Sequence, residues 1–240
     1  MLHWAARALR RRLTPMSQMW SAPIKDKVNQ ILIQLKQDER LGRYVDNSLQ
    51  IPQPYRGNCD IRLIVLGQDP TIKDAEKRKN IKTVLNLDKK GSIRAYLAGI
   101  CKGLGVDIEN IYATNFYKNF FVSPPTQNKE VDIFQEYAGA WLSLLIDELA
   151  EFGRIPIITL GEPLLVPLVK NDISTQVKYY WGYVPEWKTQ RLNPFQSIGA
   201  KDNKLGRVVF PFPHQPSLRK EFYKVKMKDY VTFVKKTALT

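Results

Sequence analysis

Four short apolar runs constrain this chain more than any other feature: Ile61–Leu66, Ile111–Thr114, Ile155–Leu160 and Arg207–Phe212. Each has the length of a buried strand and is followed by a turn-forming or polar residue. Around them, apolar residues recur at helical spacing. Ile24, Val28, Ile31, Leu32 and Leu35 share one face of a helix over Ile24–Asp38. Ser92 is a fitting N-cap for a helix that reaches about Leu104 and stops at Gly103 and Gly105. Val131, Phe134, Ala138, Trp141, Leu142, Leu145 and Leu149 predict one long helix, and Tyr223, Met227, Tyr230, Val231 and Val234 a last one. Glu162–Lys170 reads as a short helix, limited by Pro163 and Pro167. Leu49–Asp60 and Lys73–Asn80 read as loops, the second a solvated one, and Val84–Leu87 as a short extended piece. Strands that alternate with helices predict an α/β fold. The expected form is a three-layer α/β/α sandwich around a central, mainly parallel, four-stranded sheet.

The charge says most about partners. The 240 residues carry a net charge of +14, which points to a polyanion, with nucleic acid ahead of an anionic membrane surface. The arginine-rich start has Arg7, Arg10, Arg11 and Arg12 before the first acid, Asp26. Residues 1–22 are therefore set apart as a basic extension, and 23–240 as one domain. Such a start resembles an organelle transit peptide, which would make the location mitochondrial, but a basic arm on nucleic acid and a second start at Met16 fit as well. The two cysteines, Cys59 and Cys101, give no disulfide framework and no Cys-x-x-Cys, so an intracellular compartment is expected and a zinc ribbon or iron–sulfur cluster is not. No apolar run approaches membrane-spanning length. Neither a Gly-x-x-x-x-Gly-Lys-Ser/Thr loop nor a Gly-x-Gly-x-x-Gly is present, which removes phosphate-loop nucleotide binding.

Chemistry-bearing residues follow three of the apolar runs. Gly67-Gln68-Asp69-Pro70 follows the first, Asn115 the second, and His214 the fourth. Parallel strands bring their C-terminal ends to one edge, where open α/β sheets bind ligands. Alone, Asp69 reads equally as a turn residue, Asn115 as a cap, and His214 as a structural histidine. Their shared placement is what makes them a candidate site.

At these three places the chain resembles the uracil-DNA glycosylase superfamily. Gly67-Gln68-Asp69-Pro70 is similar to the start of the water-activating motif, and Ala113-Thr114-Asn115 stands where the family has its base-reading asparagine. His214-Gln215-Pro216-Ser217-Leu218 resembles the His-Pro-Ser-Pro-Leu loop. The resemblance implies a monofunctional DNA glycosylase of base-excision repair. It would act as a monomer on uracil in single- or double-stranded DNA, by base flipping, with no metal or organic cofactor. It assigns Asp69 to orienting the water and His214 to stabilising the leaving base. Gln68, Thr71, Leu85 and Asn115 would bind the base. Leu218 would enter the stack, with Ser217, Arg219 and Lys220 near phosphates.

The chain departs from the family at named positions. Thr71 replaces the Tyr that rejects the thymine methyl, Ile72 replaces a His, Lys73–Lys79 replace a glycine-rich stretch, and Gln215 replaces a Pro. Leu85 stands near the place of the aromatic on which uracil stacks. Two other readings follow from these changes: a glycosylase for another deaminated or 5-substituted base, and a non-enzymatic member that binds DNA or protein. Two aromatic groups remain. Lys178, Tyr179, Tyr180, Trp181, Tyr183, Trp187, Lys188 and Arg191 suit single-strand stacking or a loop packed on the core. Phe116, Tyr117, Phe120 and Phe121 are read as core.

Overall fold

A computed structural model describes residues 20–184 and 194–239. The arginine-rich start, and Trp187, Lys188 and Arg191 of the aromatic–basic group, lie outside the described residues. The four predicted strands form, in part with shifted ends, as β3 (Leu63–Gly67), β4 (Ile111–Asn115), β6 (Ile157–Leu160) and β7 (Val209–Phe212). Three further two-residue strands are β1 (Val45–Asp46), β2 (Tyr55–Arg56) and β5 (Phe120–Phe121). The helices are α1 (Ala22–Gln37), α2 (Ala75–Arg78), α3 (Ser92–Leu104), α4 (Ile133–Glu136), α5 (Ala138–Leu149), α6 (Leu165–Leu168), α7 (Val177–Tyr180) and α8 (Glu221–Ala238).

The central sheet has five strands in the order β2-β4-β3-β6-β7, not the expected four. The β4-β3-β6-β7 part is parallel throughout. The added strand, β2, is antiparallel and pairs Tyr55 and Arg56 with Ala113 and Tyr112. It lies inside the segment read as a loop, because two residues beside Pro52, Pro54 and Gly57 carry no readable period. A separate β1–β5 ribbon pairs Val45 with Phe121. Every residue of β3, β4, β6 and β7 is buried, as a sheet covered on both faces requires. Helices surround the sheet; α1 packs with α5, and α3 with α8. Phe116, Tyr117, Phe120 and Phe121 join the core. No helix among the described residues is long and apolar enough to cross a membrane.

Several local expectations change. The long helix breaks at Tyr137 into α4 and α5. Gly91, not Ser92, is the N-cap of α3, and left-handed Gly105 ends it. Val84–Asn86 is a 3-10 turn rather than an extended piece, with Leu85 and Asn86 at φ 58° and 52°. Lys73–Asn80 holds the short helix α2, capped by Asp74, whose carboxylate accepts from Lys77 N–H at 3.1 Å. Pro211 sits in β7, which pairs with β6 on one side and meets Ile198 through a single bridge on the other. An outer strand tolerates the missing N–H, and the Pro211 carbonyl accepts from Trp181 Nε1 at 2.7 Å.

One buried ion pair joins these layers. Lys118 and Glu148 are 2 % and 3 % exposed and in direct contact. Lys118 Nζ also donates to Thr114 Oγ1 (2.7 Å) and to the Asn115 carbonyl (2.6 Å). Glu148 Oε1 accepts from Trp20 Nε1 (3.0 Å) and Tyr112 OH (2.6 Å). The core thus takes in Trp20, just before α1. Removing one partner of a buried pair leaves an uncompensated charge and typically costs about 3–5 kcal/mol. Lys118→Met is expected to destabilise by that amount, and Lys118→Met/Glu148→Leu by less than the sum of the two single changes. Urea denaturation of the three variants measures the coupling, and strict additivity would refute it.

Candidate active site

A cavity of about 540 Å³ opens at the carboxyl edge of the sheet. The turn after β3 brings Gln68, Asp69 and Thr71 to it, and the turn after β7 brings His214 and Ser217. Leu85 and Lys220 also line it, so seven of the ten residues singled out from the sequence meet in one space. Asn115, Leu218 and Arg219 are not among its lining residues. Asn115 is 1 % exposed, with its Oδ1 lacking any hydrogen-bond partner. Leu218 is partly buried against the core, and Arg219 is exposed.

Why Gly67 ends the strand is visible in its surroundings. A Cβ there would stand 2.4 Å from Asn115 Oδ1 and 3.1 Å from Leu85 Cδ2. Only glycine lets the Asn115 side chain lie across the end of β3, so the amide remains directly behind the turn that carries Asp69. The β3–β4 pairing continues past the strands. Phe116 N–H donates to the Gly67 carbonyl at 2.8 Å and Tyr117 N–H to that of Gln68 at 2.9 Å.

Both Asp69 oxygens are engaged. Oδ1 accepts from Thr71 N–H and Oδ2 from Gln68 Nε2, each at 2.7 Å. Burial is the largest influence on this carboxyl and pushes its pKa up to about 6, against the hydrogen bonds from Thr71 and Gln68 and the charge of Arg78, all of which favour the ionised form. The group is therefore mostly ionised at pH 7.5 yet close enough to neutrality to exchange a proton. His214 is exposed at the cavity mouth, but the protein around its ring still desolvates it and lowers its pKa. A neutral imidazole is expected at neutral pH. Its ring has no hydrogen-bond partner among the described residues. The corner that presents it is fixed by Tyr96 OH on the Pro213 carbonyl (3.0 Å) and Ser217 N–H on the His214 carbonyl (2.8 Å).

Reading the sequence missed other residues of the cavity. Asn86 lines it with a buried, unpartnered Oδ1, on a backbone in the left-handed region. Exposed Ile72 and Lys73 line it too, and Lys73 and Lys220 set two cations beside the carboxylates of Asp69 and Glu162. The sequence marks Ile72 and Lys73 only as departures from the resembling motif, and Asn86 depends on a turn that reads as extended chain. Among the described residues, no group of three or more His, Cys, Asp or Glu side chains is placed to hold a metal ion.

The raised Asp69 pKa has a stability consequence. Its folded value, about 6, lies above the ordinary 3.8, so holding the ionised form destabilises the fold above pH 6, and that cost fades as pH falls toward 4. Asp69→Asn is expected to stabilise the protein by roughly 1–3 kcal/mol at pH 7.5, with the gain shrinking between pH 6 and pH 4. Urea denaturation across that range checks the sign; a less stable variant at pH 7.5 contradicts it. The chain matches no protein-family model, and no curated protein matches it in sequence.

Proposed function

We propose that this chain is a DNA glycosylase of the uracil-DNA glycosylase type, built as a three-layer sandwich. It hydrolyses the N-glycosidic bond of uracil in DNA during base-excision repair, as an intracellular monomer and without a cofactor. The observation that carries the reading is the convergence of Asp69 and His214 on one cavity from the ends of two parallel strands. A basic chain with lysines at that cavity supports a DNA partner.

The chemistry asks little of the protein beyond placed charge. The flipped nucleotide enters the cavity, because its bond is out of reach inside the duplex. As the C1′–N1 bond breaks, positive charge grows on the sugar and negative charge on the uracil. Ionised Asp69 holds a water against C1′ and stabilises the cationic sugar. Neutral His214 donates an N–H to uracil O2. Water adds to C1′, its proton passes to Asp69 and then to solvent, and the uracil anion is protonated in turn. One such preorganised donor is commonly worth about 3–4 kcal/mol in the transition state.

A second reading has its own observation. Thr71 lines the cavity where the resembling motif has Tyr, and its Oγ1 accepts from Phe121 N–H at 2.8 Å, which fixes a small side chain there. That favours a 5-substituted uracil as substrate.

Labelled oligonucleotides bearing uracil, a 5-substituted uracil or hypoxanthine separate the readings. Uracil is expected to be released from U:G pairs and single strands, and Asp69→Asn and His214→Ala to slow release by roughly 10²–10³-fold each. The rate is expected to rise with pH through about 6 and level off above it, because protonated Asp69 cannot hold the water as a base. Release confined to the 5-substituted base would select the second reading. Wild-type rates in both variants would end the assignment.

A further inference from the structure

Arg78 is the last residue of α2 and only 5 % exposed, whereas Lys73, Lys77 and Lys79 around it face solvent. Its Nε donates to the Ile72 carbonyl at 2.6 Å, and its Nη1 to the carbonyls of Phe121 and Val122 at 3.1 and 2.9 Å. One guanidinium therefore ties the turn that begins at Asp69 to β5 and the residue after it. Thr71 Oγ1, accepting from Phe121 N–H, makes a second tie between the same two segments.

Among the described residues, no carboxylate stands within ion-pair distance of Arg78. A buried cation without a partner is costly unless other negative charge faces it. The three carbonyls supply part of that charge. The same turn carries Asp69, and the charge on Arg78 is the smallest of the influences that favour its ionised form. Of the other titratable groups around this carboxylate, Lys73, Glu162, His214, Lys220 and Tyr223 share its cavity, and Tyr117 feels its charge. None of them is hydrogen-bonded to it.

We propose that Arg78 is a positioning residue for Asp69, holding the turn against β5 and supplying the buried positive charge that the carboxylate faces. The proposal rests on the reading of Asp69 as the water-orienting group. A lysine at this position would keep the charge, but its single ammonium lacks the planar fork that spans several carbonyls. Glutamine would lose the charge.

The test is a carboxyl ¹³C NMR titration of Asp69, assigned by the signal lost in Asp69→Asn, for the full-length wild type, Arg78→Gln and Arg78→Lys. The pH profile of uracil release is run beside it. In Arg78→Gln the Asp69 midpoint is expected above that of the wild type, with the acid limb of kcat moving up alongside it and KM unchanged. Arg78→Lys is expected to keep the wild-type midpoint while kcat at pH 8 falls about tenfold through misplacement of the turn. A folded Arg78→Gln in which Asp69 titrates as in the wild type overturns the proposal. So does an Arg78→Lys with wild-type kcat, and this variant decides if Arg78→Gln fails to fold. The titration needs no substrate. A wild type that releases no uracil therefore ends the glycosylase reading, while the NMR arm still decides what Arg78 does to Asp69.

Discussion

The Lys118–Glu148 contact is where the layers of this protein meet. Glu148 belongs to α5 and gathers Trp20 and Tyr112; Lys118 follows β4 and gathers Thr114 and the Asn115 carbonyl. Three distant stretches of chain, at Trp20, at 112–118 and at Glu148, thus converge on two side chains that water does not reach. Two ions taken out of water are a poor source of net stability. What they provide is a single permitted arrangement, since any slip of α5 along the sheet strands a charge. The end of β4, and with it the amide of Asn115, is placed by this lock rather than by apolar packing, which would tolerate small shifts.

A second constraint acts at the wall of the cavity. Leu85 and Asn86 both adopt left-handed backbone, a conformation that costs a non-glycine residue of order 1–3 kcal/mol. Local hydrogen bonds hold them there: Asn86 N–H reaches the Thr83 carbonyl, Lys89 N–H reaches that of Asn86, and Thr83 Oγ1 meets Asp88. The strain turns Leu85 toward Gly67, close enough that a methyl group on the glycine would meet it. Strain, a destabilised carboxylate and an unpartnered Asn115 oxygen all concentrate at the carboxyl edge of the sheet. Away from that edge the four parallel strands are buried throughout. This distribution is expected of a fold whose stability is generated in one place and used in another.

The four parallel strands were legible because each is a short apolar run bounded by turn residues, and a buried strand needs nothing else. The meeting of Asp69 and His214 at one cavity followed from the same pattern, since parallel strands deliver their ends to one edge. What escaped detection shares a physical cause. Tyr55 and Arg56 pair with β4 over only two residues, too few for any period. Leu85 and Asn86 turn through backbone angles that their side chains do not announce. Arg78 sits among lysines in a charged stretch, and composition cannot separate a buried guanidinium from a solvated one. Tyr137 breaks the helix between α4 and α5 although the apolar spacing runs through it unbroken. Burial of an isolated polar residue is decided by distant partners, and those are not written locally.

Pro211 has a consequence for how molecules of this chain meet one another. Beyond β7, Val209 already exchanges both of its backbone hydrogen bonds with Ile198, Pro211 has no N–H to offer, and its carbonyl is taken by Trp181. At the opposite margin β2 spans two residues. Among the described residues, neither border of the sheet gives an incoming strand a ladder to climb, which is how natural sheets avoid joining end to end. A concentrated solution then brings these molecules side by side without templating fibrils from the sheet.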